Sequence, residues 1–170
     1  MLRHQAPDHC AERCANHLGT HHQAYLCAEH WSNRPTIDQI PLDWCTAPAV
    51  KLDLFDQPTI DAAHLAPFRT QLETHPHAII HTGWYHEWHQ PHFFTDHPVL
   101  TAAAAQLLVD CNVRLVGVDF PSVDRPPHEA HLVLLGHDLL IVENLTNLAA
   151  LGDQLLGGAA DGQQDAVAPL

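Results

Sequence analysis

The sequence predicts an α/β domain. Short apolar segments with strand character alternate with segments that read as helices, and 170 residues suit one such domain. Loops at the carboxyl ends of the predicted strands carry His, Asp and Glu, where α/β proteins place their sites.

The elements follow in order. Pro48–Phe55 (Pro-Ala-Val-Lys-Leu-Asp-Leu-Phe) alternates and reads as a strand. Pro58–Phe68 reads as a short helix with Thr59 or Asp61 near its start. Ala78–His81 is a short apolar strand, and the aromatic, His-rich stretch Gly83–His97, interrupted by Pro91, reads as a loop. Thr101 can cap a helix from Ala102 to about Cys111, a run dense in helix formers. Val113–Val118 is a strand. Pro126–Leu135 is expected to be helical, with two prolines at its entry. Leu139–Val142 reads as a buried strand, and Asn147–Leu156 as a last helix stopped by Gly157-Gly158. The whole chain, 1–170, is expected to be one domain, with 1–16 and the Gly/Ala/Gln-rich 157–170 poorly ordered.

Composition excludes several function classes. The formal net charge is −13 with His neutral, so the surface repels phosphate backbones and anionic membranes. No apolar run reaches transmembrane length and Met1–Ala15 holds no apolar signal core, which makes the cytoplasm the expected compartment. Five cysteines (Cys10, Cys14, Cys27, Cys45, Cys111) form no paired framework and read as free thiols.

Seventeen His against seven Lys plus Arg point to metal chemistry, because imidazole is the commonest metal ligand. The same abundance makes chance pairings frequent. His17 and His21, four apart with Gly19 between, can converge on one cation, and a chance pairing is an equal alternative. His131 precedes a helix end, a Gly turn and the apolar strand that ends at Glu143. A charged group there is expected to be paired or bound to metal; the alternative is a strand-end Glu capping the next helix. The loop Asp119-Phe-Pro-Ser122-Val-Asp124 follows a strand and reads either as a site or as an ordinary turn. Trp84 and Trp88 can wall an aromatic pocket beside His86, His89 and His92, or simply pack.

Taken in order, these segments resemble the cyclase family of metal-dependent hydrolases, the group that includes bacterial kynurenine formamidase. Its signature is His-x-Gly-Thr-His-x-Asp-x-Pro-x-His, and His17-Leu-Gly-Thr-His21 matches the first half. Thr36-Ile-Asp-Gln-Ile-Pro-Leu42 is similar to the downstream segment, and Thr82-Gly-Trp84 to the Arg-Thr-Gly-Trp element, with His81 in place of Arg. Leu115–Asp119 with Pro121-Ser-Val-Asp124 resembles the central strand and loop, and His131 with Glu143-Asn-Leu the C-terminal signature.

The resemblance implies a swivelling β/β/α fold, a homodimer or homotetramer, and zinc or manganese used to hydrolyse amide or cyclic amide bonds. N-formylkynurenine is the leading substrate. It implies His17, His21 and position 23 as metal ligands. His131 and Glu143 would be further ligands or proton carriers, and His30 a proton carrier. Trp84, Trp88 and Ser122 would line the substrate pocket. Three departures stand out. Gln23 replaces the Asp, Tyr25 replaces the Pro, and Cys27 falls where the next His belongs, with His30-Trp31 displaced by three. A neutral amide oxygen at position 23 is a weaker ligand than a carboxylate. An impaired member that at most binds metal is therefore the alternative.

Overall fold

The structure is a computed structural model that describes residues 39–151. Its centre is a four-stranded, all-parallel sheet. In chain order its strands are β1 (Ala49–Asp53), β3 (His77–His81), β5 (Leu115–Val118) and β6 (Leu140–Val142), and they lie side by side in that order. The register sets Asp53 beside His81, Ile80 beside Val118, and Gly117 beside Val142. Two-residue segments β2 (Thr59–Ile60) and β4 (Val99–Leu100) form a second small parallel pair. Val50, Leu52, Ala78, Ile80, Val116 and Val118 share one face of the sheet and are buried, so that face packs on the core.

Four helices complete the described residues: α1 (Ala62–Leu65), α2 (Arg69–Thr74), α3 (Ala102–Asp110) and α4 (Glu129–Gly136). Helix α3 packs against α1 and α4 and buries Ala104, Ala105, Leu107 and Leu108. Its cap is the expected one: the Thr101 hydroxyl accepts from the Ala104 N–H at 3.1 Å. The same hydroxyl donates to Asp61 at 2.8 Å, and Asp61 caps α1, so the two helix starts are tied together. At Gly117 a Cβ would meet Leu145 Cδ1 at 2.6 Å and Ile79 Cδ1 at 2.8 Å, so the bare backbone lets both side chains close over β5.

Four expectations need correction. Pro58–Phe68 divides into β2, α1 and a 3-10 turn at Ala66–Phe68, because Asp61 stops the strand by capping α1. Helix α2 has no counterpart in the sequence reading. The strand expected from Val113 begins at Leu115. Helix α4 starts at Glu129, after the prolines and not on them, because His128 at its N-cap takes a left-handed φ of 64°. The last expected helix is a 3-10 turn at Leu148–Leu151 within the described residues; its continuation, and the segments 1–16 and 157–170, lie outside them.

Candidate metal centre

All four strands of the main sheet run the same way, so their carboxyl ends share one edge. Asp119 follows β5 directly and is fully buried. Its Oδ1 accepts from the Thr82 hydroxyl (2.6 Å), its Oδ2 from the Gly83 N–H (2.7 Å), and both oxygens lie 3.1 Å from the Thr82 N–H. This carboxylate clamps the turn after β3 to the end of β5. Gly83 permits the turn with φ 83°.

The chain continues from Asp119 to Asp124, whose carboxylate is 7% exposed. Asp124 Oδ1 accepts from His131 Nδ1 at 2.6 Å and from His128 Nδ1 at 3.0 Å, and Oδ2 accepts from the His131 backbone N–H at 3.0 Å. A carboxylate partner fixes the tautomer: His131 carries its proton on Nδ1, and Nε2 faces Glu143 Oε1 at 3.6 Å. Glu143 is 7% exposed on its side chain, and its Oε1 accepts from the Val123 N–H at 3.0 Å. The carboxylate thus reaches back to the 119–124 loop. The alternative of Glu143 as a helix cap is not what the structure shows for this oxygen.

The electrostatics follow from this packing. Burial alone would favour neutral His131, yet the hydrogen bond to Asp124 and the nearby carboxylate of Glu143 outweigh it and push its pKa up to about 9. Burial alone would raise Asp124, but the His131 and His128 hydrogen bonds and the His131 charge hold its pKa below the ordinary carboxylate value. The cage is therefore built to hold positive charge. Ligand atoms of one ion, each about 2.0–2.2 Å from it, stand about 3.4 Å apart in a tetrahedral shell. The 3.6 Å between His131 Nε2 and Glu143 Oε1 fits that spacing. The 2.6 Å between His131 Nδ1 and Asp124 Oδ1 is a hydrogen bond and too short for two ligands of one ion. Asp124 therefore orients His131 from behind, the usual companion of a metal-bound imidazole, although Asp124, His128 and His131 offer ligand atoms within 4.8 Å of one another.

Of the residues singled out from the sequence, the structure brings His131 and Glu143 together. His17, His21, Gln23 and His30 lie outside the described residues, as do Cys27 and Glu29. Ser122 is partly exposed on the loop between Asp119 and Asp124. Trp84 donates its indole N–H to the Phe93 carbonyl at 3.1 Å and stacks on Phe93. Trp88, half exposed, sets its edge against Phe93 and Phe94. Both belong to an aromatic cluster on the loop that follows β3. Sequence reasoning missed the role of His128 and of buried His97, whose ring stacks on Phe120 and whose Nδ1 donates to the Pro98 carbonyl at 2.7 Å. The spacing Asp124-x3-His128-x2-His131 is present in the sequence, but among seventeen His it carries little weight by itself.

Comparison with known proteins bears on this geometry. A family model described as "Putative cyclase" matches residues 4–125. The chain belongs to this family. The match takes in His17–Gln23 and the Asp119–Asp124 loop and stops before His131 and Glu143. The kynurenine formamidase of Bordetella avium (strain 197N) is 29% identical over 140 residues, covering 76% of this chain and 61% of the relative. The chain thus spans about three-fifths of that protein's length. Among solved structures, a potential metal-dependent hydrolase with cyclase activity superposes with TM-score 0.58 at 23% identity, covering 67% of this chain and 56% of that one. A predicted metal-dependent hydrolase from Bacillus stearothermophilus gives TM-score 0.52 at 22% identity, covering 62% and 51%. At these identities the shared property is the fold, an α/β architecture with parallel sheets. No helix among the described residues is long and apolar enough to cross a membrane.

Proposed function

We propose that this chain is a metal-dependent amidohydrolase of the kynurenine formamidase type, cleaving the C–N bond of an arylformamide such as N-formylkynurenine. The observation that carries this reading is the Asp124–His131–Glu143 relay. One ring nitrogen is pinned by a buried carboxylate, and the other stands 3.6 Å from a second carboxylate. His131 and Glu143 would hold zinc or manganese together with His17, His21 and Gln23. A divalent ion supplies polarisation of the scissile carbonyl and a water acidified towards a pKa of about 7. The chain's own residues do the rest. Asp124 keeps His131 Nδ1 protonated, so Nε2 is the working nitrogen. The Val123 N–H holds Glu143 Oε1 in place, and His30 handles a proton on its way to the departing amine. Trp84, Trp88 and Ser122 are assigned to the pocket for the aromatic substrate. A homo-oligomer in the cytoplasm, acting on a small molecule and on neither nucleic acid nor membrane, completes the reading.

A second reading is a member that binds metal weakly and turns over little, favoured by Gln23, which supplies no charge where the family signature supplies a carboxylate. Zinc-competition titration and an amide panel separate the two. Under the first reading the chain binds one or two ions tightly and hydrolyses an arylformamide. Glu143→Gln then weakens zinc by at least about 10-fold, the loss known for removing even an outer-shell partner. Tight zinc binding unchanged in Glu143→Gln removes Glu143 from the site, and hydrolysis of simple esters without amide turnover rejects the formamidase assignment.

A further inference from the structure

Resting on the metal-site reading above, we propose that His128 is a positioning residue of this centre: its Nδ1–H, donated to Asp124 Oδ1, holds the carboxylate that in turn holds His131. Asp124 is a hub with three donors, the His131 backbone N–H, the His131 ring and the His128 ring. The first two come from the residue being oriented. Among the described residues, only His128 anchors Asp124 from outside that pair, and the Oδ1 it binds at 3.0 Å is the oxygen that grips the His131 ring at 2.6 Å. The His128 ring also meets the His131 ring edge-on, centroids 5.5 Å apart at 89°, limiting its rotation.

The backbone at His128 fits this role. Its φ of 64° and ψ of 40° lie in the left-handed region, uncommon for a residue with a Cβ and adopted best by Gly, then by Asn, Asp and His; six other non-Gly residues among those described also have positive φ. A side chain kept in such a conformation is a pointer to function when its surroundings account for it. Here the left-handed turn places the imidazole at the entry of α4, back over Asp124, three residues before His131. The N-cap side chain makes no capping bond to α4, so its contacts with Asp124 and His131 are what the position delivers.

The conformation also supplies a clean test. Asn tolerates the left-handed region, and its Nδ2 stands as many bonds from Cα as His Nδ1, so His128→Asn keeps both the turn and the donor. His128→Gly keeps the turn and loses the donor. Both full-length variants should unfold within about 4 °C of wild type, since neither strains the turn. Zinc affinity of the Gly variant, by competition titration, should fall about 10-fold, while the Asn variant stays within about 3-fold of wild type. In metal-free protein, the His131 Nδ1–H proton resonance should be sharp and slowly exchanging in wild type and Asn, and broadened in Gly. Equal zinc affinity and an equally protected Nδ1–H in the Gly variant would overturn the proposal. So would an Asn variant as weak as Gly, which would make His128 a direct ligand. If wild type binds no zinc, the metal-site reading falls, and the Nδ1–H resonance alone decides the role of His128.

Discussion

Replacing Asp119 by Asn keeps the shape of the side chain and removes its charge, in a place where four short contacts depend on that charge. Oδ1 takes the Thr82 hydroxyl at 2.6 Å, Oδ2 takes the Gly83 N–H at 2.7 Å, and the Thr82 N–H points between them at 3.1 Å from each. Asn has one acceptor. Turning its oxygen to Thr82 sets its NH2 against the Gly83 N–H, and turning it to Gly83 lets the NH2 donate to the Thr82 hydroxyl, so the contacts survive only as neutral bonds. Hydrogen bonds to a charged group contribute about 1.5–3 kcal/mol each, and a buried donor left unpaired costs about 1–3 kcal/mol. Making three charge-assisted bonds neutral, at about 1 kcal/mol each, gives about 3 kcal/mol, a large share of the roughly 5–15 kcal/mol that holds a domain folded. With a urea m value of about 1–3 kcal/mol/M, the unfolding midpoint should drop by about 1–3 M. Thr82→Val, which removes the 2.6 Å hydroxyl contact and the 3.2 Å bond that the hydroxyl accepts from the Trp84 N–H, should cost about half as much and should be non-additive with Asp119→Asn. The measurement needs no metal and no substrate. A midpoint within about 0.3 M of wild type would refute the clamp as a stability element, and strict additivity of the two changes would show that the contacts act separately.

Two further outcomes are expected. Gln23→Asp restores an anionic oxygen to the signature and should raise zinc affinity and arylformamide turnover by about 10-fold or more; unchanged affinity in a tightly binding protein would mean that Glu29, Cys27 or His30 is the ligand instead. His97→Phe keeps the ring stack on Phe120 and removes a titrating group whose pKa burial holds below its ordinary 6.5. The stability contributed by neutral His97 is present above about pH 6.5 and lost as pH falls through the depressed pKa. The gap between wild type and variant should therefore shift towards the variant from about pH 7.5 to about pH 5, and parallel urea midpoints across that range would refute it.

The sheet was legible because its strands are short apolar runs closed by charged or turn residues. Ala49–Asp53, His77–His81 and Leu140–Val142 fall within two residues of their expected bounds. The pair β2 and β4 was not, since two residues carry no periodicity. Helix α2 escaped because it buries only Leu72 and shows solvent five polar or charged positions, Arg69, Thr70, Gln71, Glu73 and Thr74. The start of α4 was misplaced because proline at a helix entry is usually its first residue; here the prolines precede a His in the left-handed region that serves as the N-cap. In the site, Glu143 was legible as a charge closing a fully apolar strand, a position that demands a partner. His128 was invisible for the opposite reason: among seventeen His, a spacing of three carries little weight until the carboxylate between the rings is known.

The same edge of the sheet shows why the candidate site is placed at β6 and not elsewhere. Each long strand delivers an ionisable group at its carboxyl end: Asp53 closes β1, His81 closes β3, Asp119 follows β5 and Glu143 follows β6. Parallel register turns these four positions, scattered over ninety residues of sequence, into one row. Most of the row is committed to structure. Asp53 binds the buried His81 ring at 2.6 Å and faces Lys51 at 3.4 Å. Asp119 accepts four contacts from the turn beside it. At the β6 end the spacing differs. Glu143 and His131 Nε2 stand 3.6 Å apart, beyond a good hydrogen bond and matched to two ligands of one ion, while Asp124 holds the ring from its other nitrogen. A row of charges is what the fold produces at any parallel edge; a pair at ligand spacing, with its imidazole held at Nδ1 by a buried carboxylate, is what marks one end of that row as the candidate metal centre.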